Sequence, residues 1–365
     1  MEELGEPRFR GDQIASWLYR QEVASFGEMT NLPAPLRARL PREFAHGRRE
    51  PLSASQSADG TRKYLFPVGP ELPARETTPD NGSRPSGPRP AAGPRSEPVP
   101  APLGAAVETA LIPQSDRLTL CVSTQAGCRR GCRFCQTGKQ GFHGDLTAGE
   151  IVNQLLSLPA RRDVTNVVFM GMGEPLDNLT ATLRALELLT SPWAIGMSAQ
   201  RITVSTVGIH PALESLLDAT KVNLAVSLHS PFPTERRELL PVEVSHPLSS
   251  TLELLRRRRE DRHRKLSMEY TIFDGVNHSP AHAKELARLL SGLSVRVNLI
   301  PYHPLREAQG GLRSPGNEAV AIFQQELRDR GIRTFIRRSR GEDIGAACGM
   351  LWTGDVSPSI PSRKL

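Results

Sequence analysis

Long apolar runs are missing from this chain. In 365 residues none approaches the roughly 18 that cross a membrane, and the mean hydropathy is −0.34, so a membrane-embedded protein is excluded. The opening residues MEELGEPRFR carry charge but lead into no apolar stretch, so no secretory leader is expected and the expected location is the cytoplasm. Cysteine is scarce: five in all, too few for a disulfide scaffold. Four of the five fall between Cys121 and Cys135, and in a reducing compartment such clustering points to metal or redox chemistry. Acidic residues are outnumbered, 39 against 46 Lys and Arg, giving +7 and a pI near 9.5, which suits a polyanionic partner such as RNA.

Composition divides the chain. Residues 1–66 read as a small helical module in which Phe9, Ile14, Trp17 and Leu18 recur at helical spacing, Phe26, Met29, Leu32 and Leu36 extend the series, and a strand pair around Lys63–Phe66 follows the turn Ala58-Asp59-Gly60. Residues 67–104 hold 11 of the chain's 31 prolines and no aromatic side chain, too little apolar surface to fold alone. They are expected to form a Pro-rich flexible linker, with Arg84, Arg89 and Arg95 able to touch an RNA backbone. From 105 to 345, β-rich runs at 118–122, 166–169, 202–204, 222–227, 267–272, 295–300 and 334–336 alternate with helical stretches. Thr147 and Glu150 form a capping box, and Ala319, Ile322, Phe323 and Leu327 mark an amphipathic helix. The pattern predicts an α/β fold, a partial (βα)6 barrel with its site at the strand C-termini, followed by a tail over 346–365.

The chemistry concentrates in Cys128-Arg-Arg-Gly-Cys132-Arg-Phe-Cys135, directly after a predicted strand. Three thiolates in one short loop can hold three irons of a [4Fe–4S] cluster, leaving the fourth iron open. A zinc site recruiting Cys121 as fourth ligand is the competing reading, weakened because Cys121 lies within the strand. At the end of the next strand stands Phe169-Met-Gly-Met-Gly-Glu-Pro175, where glycines permit close backbone approach and Glu174 can accept from an ammonium group.

These two motifs together resemble the radical S-adenosylmethionine superfamily. Reading outward, Cys121-Val-Ser-Thr-Gln-Ala-Gly-Cys128, Ser205-Thr206, Ser227-Leu-His229, Val297-Asn298-Leu-Ile-Pro301 and Arg340-Gly-Glu-Asp-Ile-Gly-Ala-Ala-Cys348-Gly349 are similar to the superfamily's ribosomal RNA adenine C2 methyltransferases. The likeness covers nearly the whole chain; only the Pro-rich stretch departs from it.

The resemblance implies a set of roles. Cys128, Cys132 and Cys135 would carry the cluster; Gly173, Glu174, Ser205, Ser227, Leu228, His229 and Asn298 would contact S-adenosylmethionine, two molecules of which serve each turnover. Cys348 would become an S-methylcysteine and then a protein–RNA thioether, Glu108 would accept the C2 proton, and Cys121 would resolve the adduct through a transient Cys121–Cys348 disulfide. The implied partners are 23S ribosomal RNA, tRNA at the adenosine beside the anticodon, and an external electron donor such as flavodoxin; the implied oligomeric state is monomer, with 1–66 an accessory RNA-binding domain. Because adenine C2 lies on the base edge, the target must be unstacked to reach the barrel mouth. Two basic groups offer phosphate contacts: Arg256 to Lys265, and Arg337, Arg338 and Arg340 beside the cysteine loop. The alternatives are an adenine C8 methyltransferase, against which Asp274-Gly-Val-Asn277 and the Cys348 loop speak, a non-catalytic zinc-stabilised RNA-binding protein, and a simple electron-transfer iron–sulfur protein.

Overall fold

The computed structural model describes residues 1, 4–21, 23, 25–70, 99–102, 104–258, 263–304 and 311–353. Arg84, Arg89 and Arg95 of the Pro-rich stretch, Arg259 and Arg262 of the first basic group, and the tail beyond 353 lie outside the described residues.

The elements follow in chain order. Helices α1 (Phe9–Tyr19) and α2 (Ala34–Glu43) precede β1 (Ser53–Gln56), β2 (Arg62–Val68), β3 (Ala105–Gln114) and β4 (Arg117–Cys121). A two-stranded hairpin, β5 (Gln125–Gly127) and β6 (Phe142–Asp145), encloses the short helix α3 (Gln136–Lys139). Then come α4 (Ala148–Leu156), β7 (Asn166–Phe169), α5 (Leu179–Thr190), β8 (Ile202–Thr206), α6 (Ala212–Ala219), β9 (Asn223–Ser227), α7 (Pro233–Leu239) and α8 (Leu248–Arg257). The chain ends through β10 (Leu266–Ile272), α9 (Pro280–Leu290), β11 (Val295–Pro301), α10 (Asn317–Asp329) and β12 (Arg333–Ile336).

Ten strands form one sheet in the order β1-β2-β3-β4-β7-β8-β9-β10-β11-β12. From β4 onward neighbouring strands are parallel, joined by six helical crossovers, which gives the expected (βα)6 progression. Val167, Val204, Leu224, Val226, Met268, Tyr270, Val297 and Leu299 are buried in the core between strands and helices, as strands covered on both faces require. The capping box at the start of α4 forms as read: Thr147 Oγ1 accepts from the Glu150 N–H at 3.2 Å while Glu150 Oε2 accepts from the Thr147 N–H at 2.8 Å.

Two features differ from the sequence expectation. The strand pair after the Ala58-Asp59-Gly60 turn does not stop with the helical module, because β2 pairs along its whole length with β3, and β3 with β4. The N-terminal helices meanwhile keep a small core of their own, built on Phe26, Met29, Leu32, Leu36 and Leu40. In α10 the apolar stripe is narrower than expected: Phe323 and Leu327 are buried but Ile322 is 57% exposed.

Candidate active site

The three cysteines of the 128–135 loop sit together above the C-terminal ends of the parallel strands. All are free thiols, and each lies near enough to the others to oppose their ionisation. Burial first, and then the neighbouring Cys135, pushes Cys132 up to about 12; Cys128 is raised by burial and by Cys132. Three crowded thiols of this kind lose their protons together only to a strong cationic centre, which is the donor chemistry of a cluster loop. Phe134 packs against His229 and Phe273 at ring separations of 4.7 and 5.4 Å, fixing the loop on the barrel mouth. Cys121 ends β4 and packs with Ala110 and Ala346.

The glycines of Gly171-Met-Gly173-Glu174 are demanded by the chain itself. A Cβ at Gly173, whose φ is +97°, would lie 2.6 Å from Gln125 Cβ; one at Gly171 would lie 2.7 Å from Val122 O. The loop is thus pressed onto the segment after β4, where the Glu174 N–H donates to Gln125 Oε1 (2.9 Å) and the Met172 N–H to Ser123 Oγ (2.8 Å). The Glu174 carboxylate is buried and accepts from the backbone N–H groups of Leu176 (3.0 Å) and Val207 (2.9 Å). Burial raises its pKa against the hydrogen bonds from Thr206 and Val207. A carboxylate has about four acceptor positions, so capacity remains for a ligand donor.

Around the next strands the expected contact residues divide into two kinds. Leu228 is fully buried core, and His229 is held rigidly: its φ is +55°, Nδ1 accepts from the Thr271 N–H (2.9 Å) and its carbonyl accepts from Asn277 Nδ2 (2.7 Å). Burial and then Arg236 lower its pKa to about 3, so it is a neutral imidazole carrying its proton on Nε2. Ser205 stands half-buried within β8, and Ser227 ends β9. Asn298 was expected at a strand end; it lies in the middle of β11, because β11 extends three residues further. Parallel register sets Ser227, Glu269 and Asn298 side by side in one row, with Asn298 Nδ2 donating to Glu269 Oε1 (2.7 Å).

The remaining cysteines meet across an open cleft. Cys121, Cys348, Cys135, Met170, Ser339 and Arg337 are among the residues lining it. The exposed Cys348 is carried by a loop stitched to the cysteine-rich loop: the Gln136 N–H donates to Gly349 O (2.7 Å) and the Thr137 hydroxyl to Leu351 O (2.7 Å). Glu108, in β3, is not among the cleft-lining residues. Its Oε1 pairs with Lys63 Nζ at 2.7 Å and its Oε2 accepts from the Trp352 N–H at 2.7 Å, so in this state it tethers the Cys348 loop from behind.

Residues 122–290 match the model of the radical SAM superfamily, and residues 1–45 match that of the ribosomal RNA large subunit methyltransferase N-terminal domain. A Porphyromonas gingivalis protein named "Probable dual-specificity RNA methyltransferase RlmN" is 43% identical over 98% of this chain and 94% of its own length. The chain belongs to the RlmN family of radical SAM RNA methyltransferases. The dual-specificity RNA methyltransferase RlmN of Saccharophagus degradans is 39% identical over 95% of the chain and 82% of its own length. The crystal structure of a radical SAM methyltransferase from Sphaerobacter thermophilus superposes with a TM-score of 0.80 at 38% identity, covering 96% of this chain and 94% of that one.

As a radical SAM methyltransferase, the protein is an enzyme that works with a [4Fe–4S] cluster and S-adenosylmethionine. Several residues that shape its site carried no signal in the sequence. Arg236 is completely buried; it pairs with Glu243 and donates to the carbonyls of Ser227 (2.9 Å), Leu228 (3.1 Å) and Val207 (3.2 Å), holding two strand ends. Glu269 is buried beside Asn298, and Gln125 bridges Glu174 to Asp145. The first basic group also differs from expectation: Arg256 donates to Leu289 O, Arg258 pairs with Asp218, and Arg264 donates to Leu217 O and Thr220 O. Those contacts lie where β9 and β10 begin, at the opposite end of the barrel from the cleft, whereas Arg337, Arg338 and Arg340 line the cleft itself. Among the described residues no helix is long and apolar enough to cross a membrane.

Proposed function

We propose that this methyltransferase acts in the cytoplasm, as a monomer, on C2 of an adenosine in the peptidyl-transferase region of 23S ribosomal RNA and on the adenosine beside the tRNA anticodon, with a donor such as flavodoxin supplying electrons. The names of its relatives support a dual RNA substrate. The observation that carries the mechanism is the meeting of Cys121 and Cys348 in one cleft with Cys135 of the cysteine-rich loop. Cys128, Cys132 and Cys135 would hold a [4Fe–4S] cluster that, with the first of two S-adenosylmethionine molecules methylating Cys348 and the second at the open iron, supplies a carbon radical able to take hydrogen from the S-methyl group.

Cys348 then carries the methylene carbon to adenine C2: a C–C bond forms, the adduct's unpaired electron would pass back to the oxidised cluster, and with loss of the C2 proton a thioether links protein and RNA. An electron-poor ring carbon bearing hydrogen is a poor partner for polar transfer from a sulfonium, so a protein-bound carrier is chemically apt. Glu108 accepts the C2 proton once Trp352 and Lys63 release its carboxylate. The Cys121 thiolate attacks the Cys348 sulfur: the S–S bond forms as the S–C bond breaks, and its electron pair passes to the methylene carbon, which takes a proton to become the methyl group. An external dithiol restores both thiols. Gly173, Glu174, Ser205, Ser227, His229 and Asn298 orient the cofactor, with Leu228 packing beneath it.

The test is an anaerobic reaction of the reconstituted full chain with ribosomal RNA or tRNA, read by nucleoside mass spectrometry. The wild type is expected to form 2-methyladenosine, Cys348→Ala none, and Cys121→Ala an RNA-linked protein. Formation of 8-methyladenosine instead, or equal methylation by Cys348→Ala, overturns the reading.

A further inference from the structure

Beyond the phosphate contact expected of it, Arg337 has no task in the reaction proposed above. It directly follows β12, anchored by its N–H to Leu299 O (2.8 Å), and its side chain reaches the cleft shared by Cys121 and Cys348. Its Nη1 lies 3.8 Å from Glu269 Oε2 and 3.4 Å from Met170 Sδ. Glu269 is only 4% exposed; its Oε1 accepts from the Ser267 hydroxyl (2.9 Å) and Asn298 Nδ2 (2.7 Å), while its buried Oε2 takes no hydrogen bond from any described group. Charge-assisted N–H···O contacts close to about 2.7–2.9 Å when fully made. At 3.8 Å, the guanidinium is near its carboxylate without being committed to it.

The same guanidinium acts on both thiols of the cleft, on Cys348 most strongly and on Cys121 as well. Burial, and then the charge of Cys348, push that thiol up to about 12; Arg337 and the Met170 N–H act the other way. The side chains it packs with, Ala110, Ala346, Ile112, Val168, Met170 and Ile344, are uncharged, and Arg338 and Arg340 line the same cleft. A thiol so placed is inert at neutral pH unless a positive charge meets it, because only the thiolate attacks sulfur.

We propose that Arg337 is the positioning cation that stabilises the Cys121 thiolate, and that Glu269 is the counter-charge on which it rests between turnovers. The assignment rests on Cys121 being the resolving thiol. Loss of the positive charge shrinks the thiolate population; loss of the competing carboxylate enlarges it. The two substitutions therefore act in opposite directions, which loosened packing does not do.

The experiment follows iodoacetamide modification of Cys121 in the cofactor-free full chain at pH 8, resolved by peptide mass spectrometry, for wild type, Arg337→Met and Glu269→Gln, with urea midpoints recording the folded fraction. A shift of about one pKa unit is tenfold in thiolate, partly offset by the higher nucleophilicity of the more basic sulfur, so Arg337→Met is expected to slow modification by about three- to tenfold. Glu269→Gln is expected to speed it. An unchanged or faster rate in Arg337→Met overturns the proposal, and slowing in Glu269→Gln overturns the counter-charge role. Undiminished RNA methylation by Cys121→Ala would instead remove the resolving-thiol reading and leave the alkylation result standing.

Discussion

A single hydrogen-to-methyl change at Gly173 tests how tightly the site is built. Alanine there would have to hold φ near +97° with its Cβ 2.6 Å from Gln125 Cβ. Strain in that region and displacement of Gln125 together are expected to cost about 2–3 kcal/mol, read as a lower urea midpoint. His229 gives a pH signature. Its folded pKa, lowered to about 3 by burial, lies below the ordinary value near 6.5. The stability it contributes is therefore present above about pH 6.5 and is lost as pH falls toward 3, because the unfolded chain takes up the proton first. His229→Gln is expected to flatten that part of the urea-midpoint profile by up to a few kcal/mol. Residue types at this scale were legible where the motif restricts the choice, as at the glycines of Gly171-Met-Gly173, which the close approach to Val122 and Gln125 requires. Glu269 and Arg236 were not, because an isolated Glu or Arg in a sequence is most often solvated, and only folding reveals the partner that justifies its burial.

At the scale of elements, the loop carrying Cys348 is held from three sides. The cysteine-rich loop grips it at Gly349 and Leu351, β3 through Glu108, and the β1–β2 turn through Asp59 and Asp343. Asp59 accepts from the Thr61 N–H (2.9 Å) and Gly341 N–H (3.0 Å). Burial pulls its pKa up, but bonds from Thr61, Gly341 and Ser57 outweigh this and hold it down to about 2. The tether is thus complete above the unfolded value near 3.8 and is lost as pH falls through about 2. Asp59→Ala is expected to raise amide exchange across 340–348 at neutral pH, measured by mass spectrometry, with the rest of the barrel unchanged. Arg236→Met leaves Glu243 charged and buried without its partner, and a loss of about 3–5 kcal/mol is expected in urea titration. The parallel strands were readable to within a residue or two, since runs such as Asn166–Phe169 and Val295–Pro301 are short, apolar and bounded by turns. Strand β3 escaped notice: Ala106 to Leu111 are buried on both faces, so no alternation marks them, and Pro113 argues against a strand.

For the molecule as a whole, the antiparallel strands β1 to β3 are a sheet extension, of which sequence reading assigned β1 and β2 to the helical module and left β3 unnoticed. Local patterns identified the hairpin but not its partner, because pairing of β2 with β3 spans the Pro-rich stretch and only long-range burial rewards it. The small helical core and the barrel core are built from separate residues, so substitutions such as Met29→Ala are expected to lower the stability of the helical part while leaving Cys121 alkylation unchanged.

The triple grip on the Cys348 loop also sets an order in time. Trp352 meets Glu108 across 244 positions of the chain, and Gly341 meets Asp59 across 282. Domains assemble from the N-terminus as the chain emerges from the ribosome. The cysteine-rich loop and most of the barrel are therefore available to fold before the segment bearing Cys348 exists, so on the mechanism proposed above the nascent protein passes through a stage with its cluster loop but without its methyl carrier. The last contacts to form are the ones that bring Cys348 to the cleft it shares with Cys121.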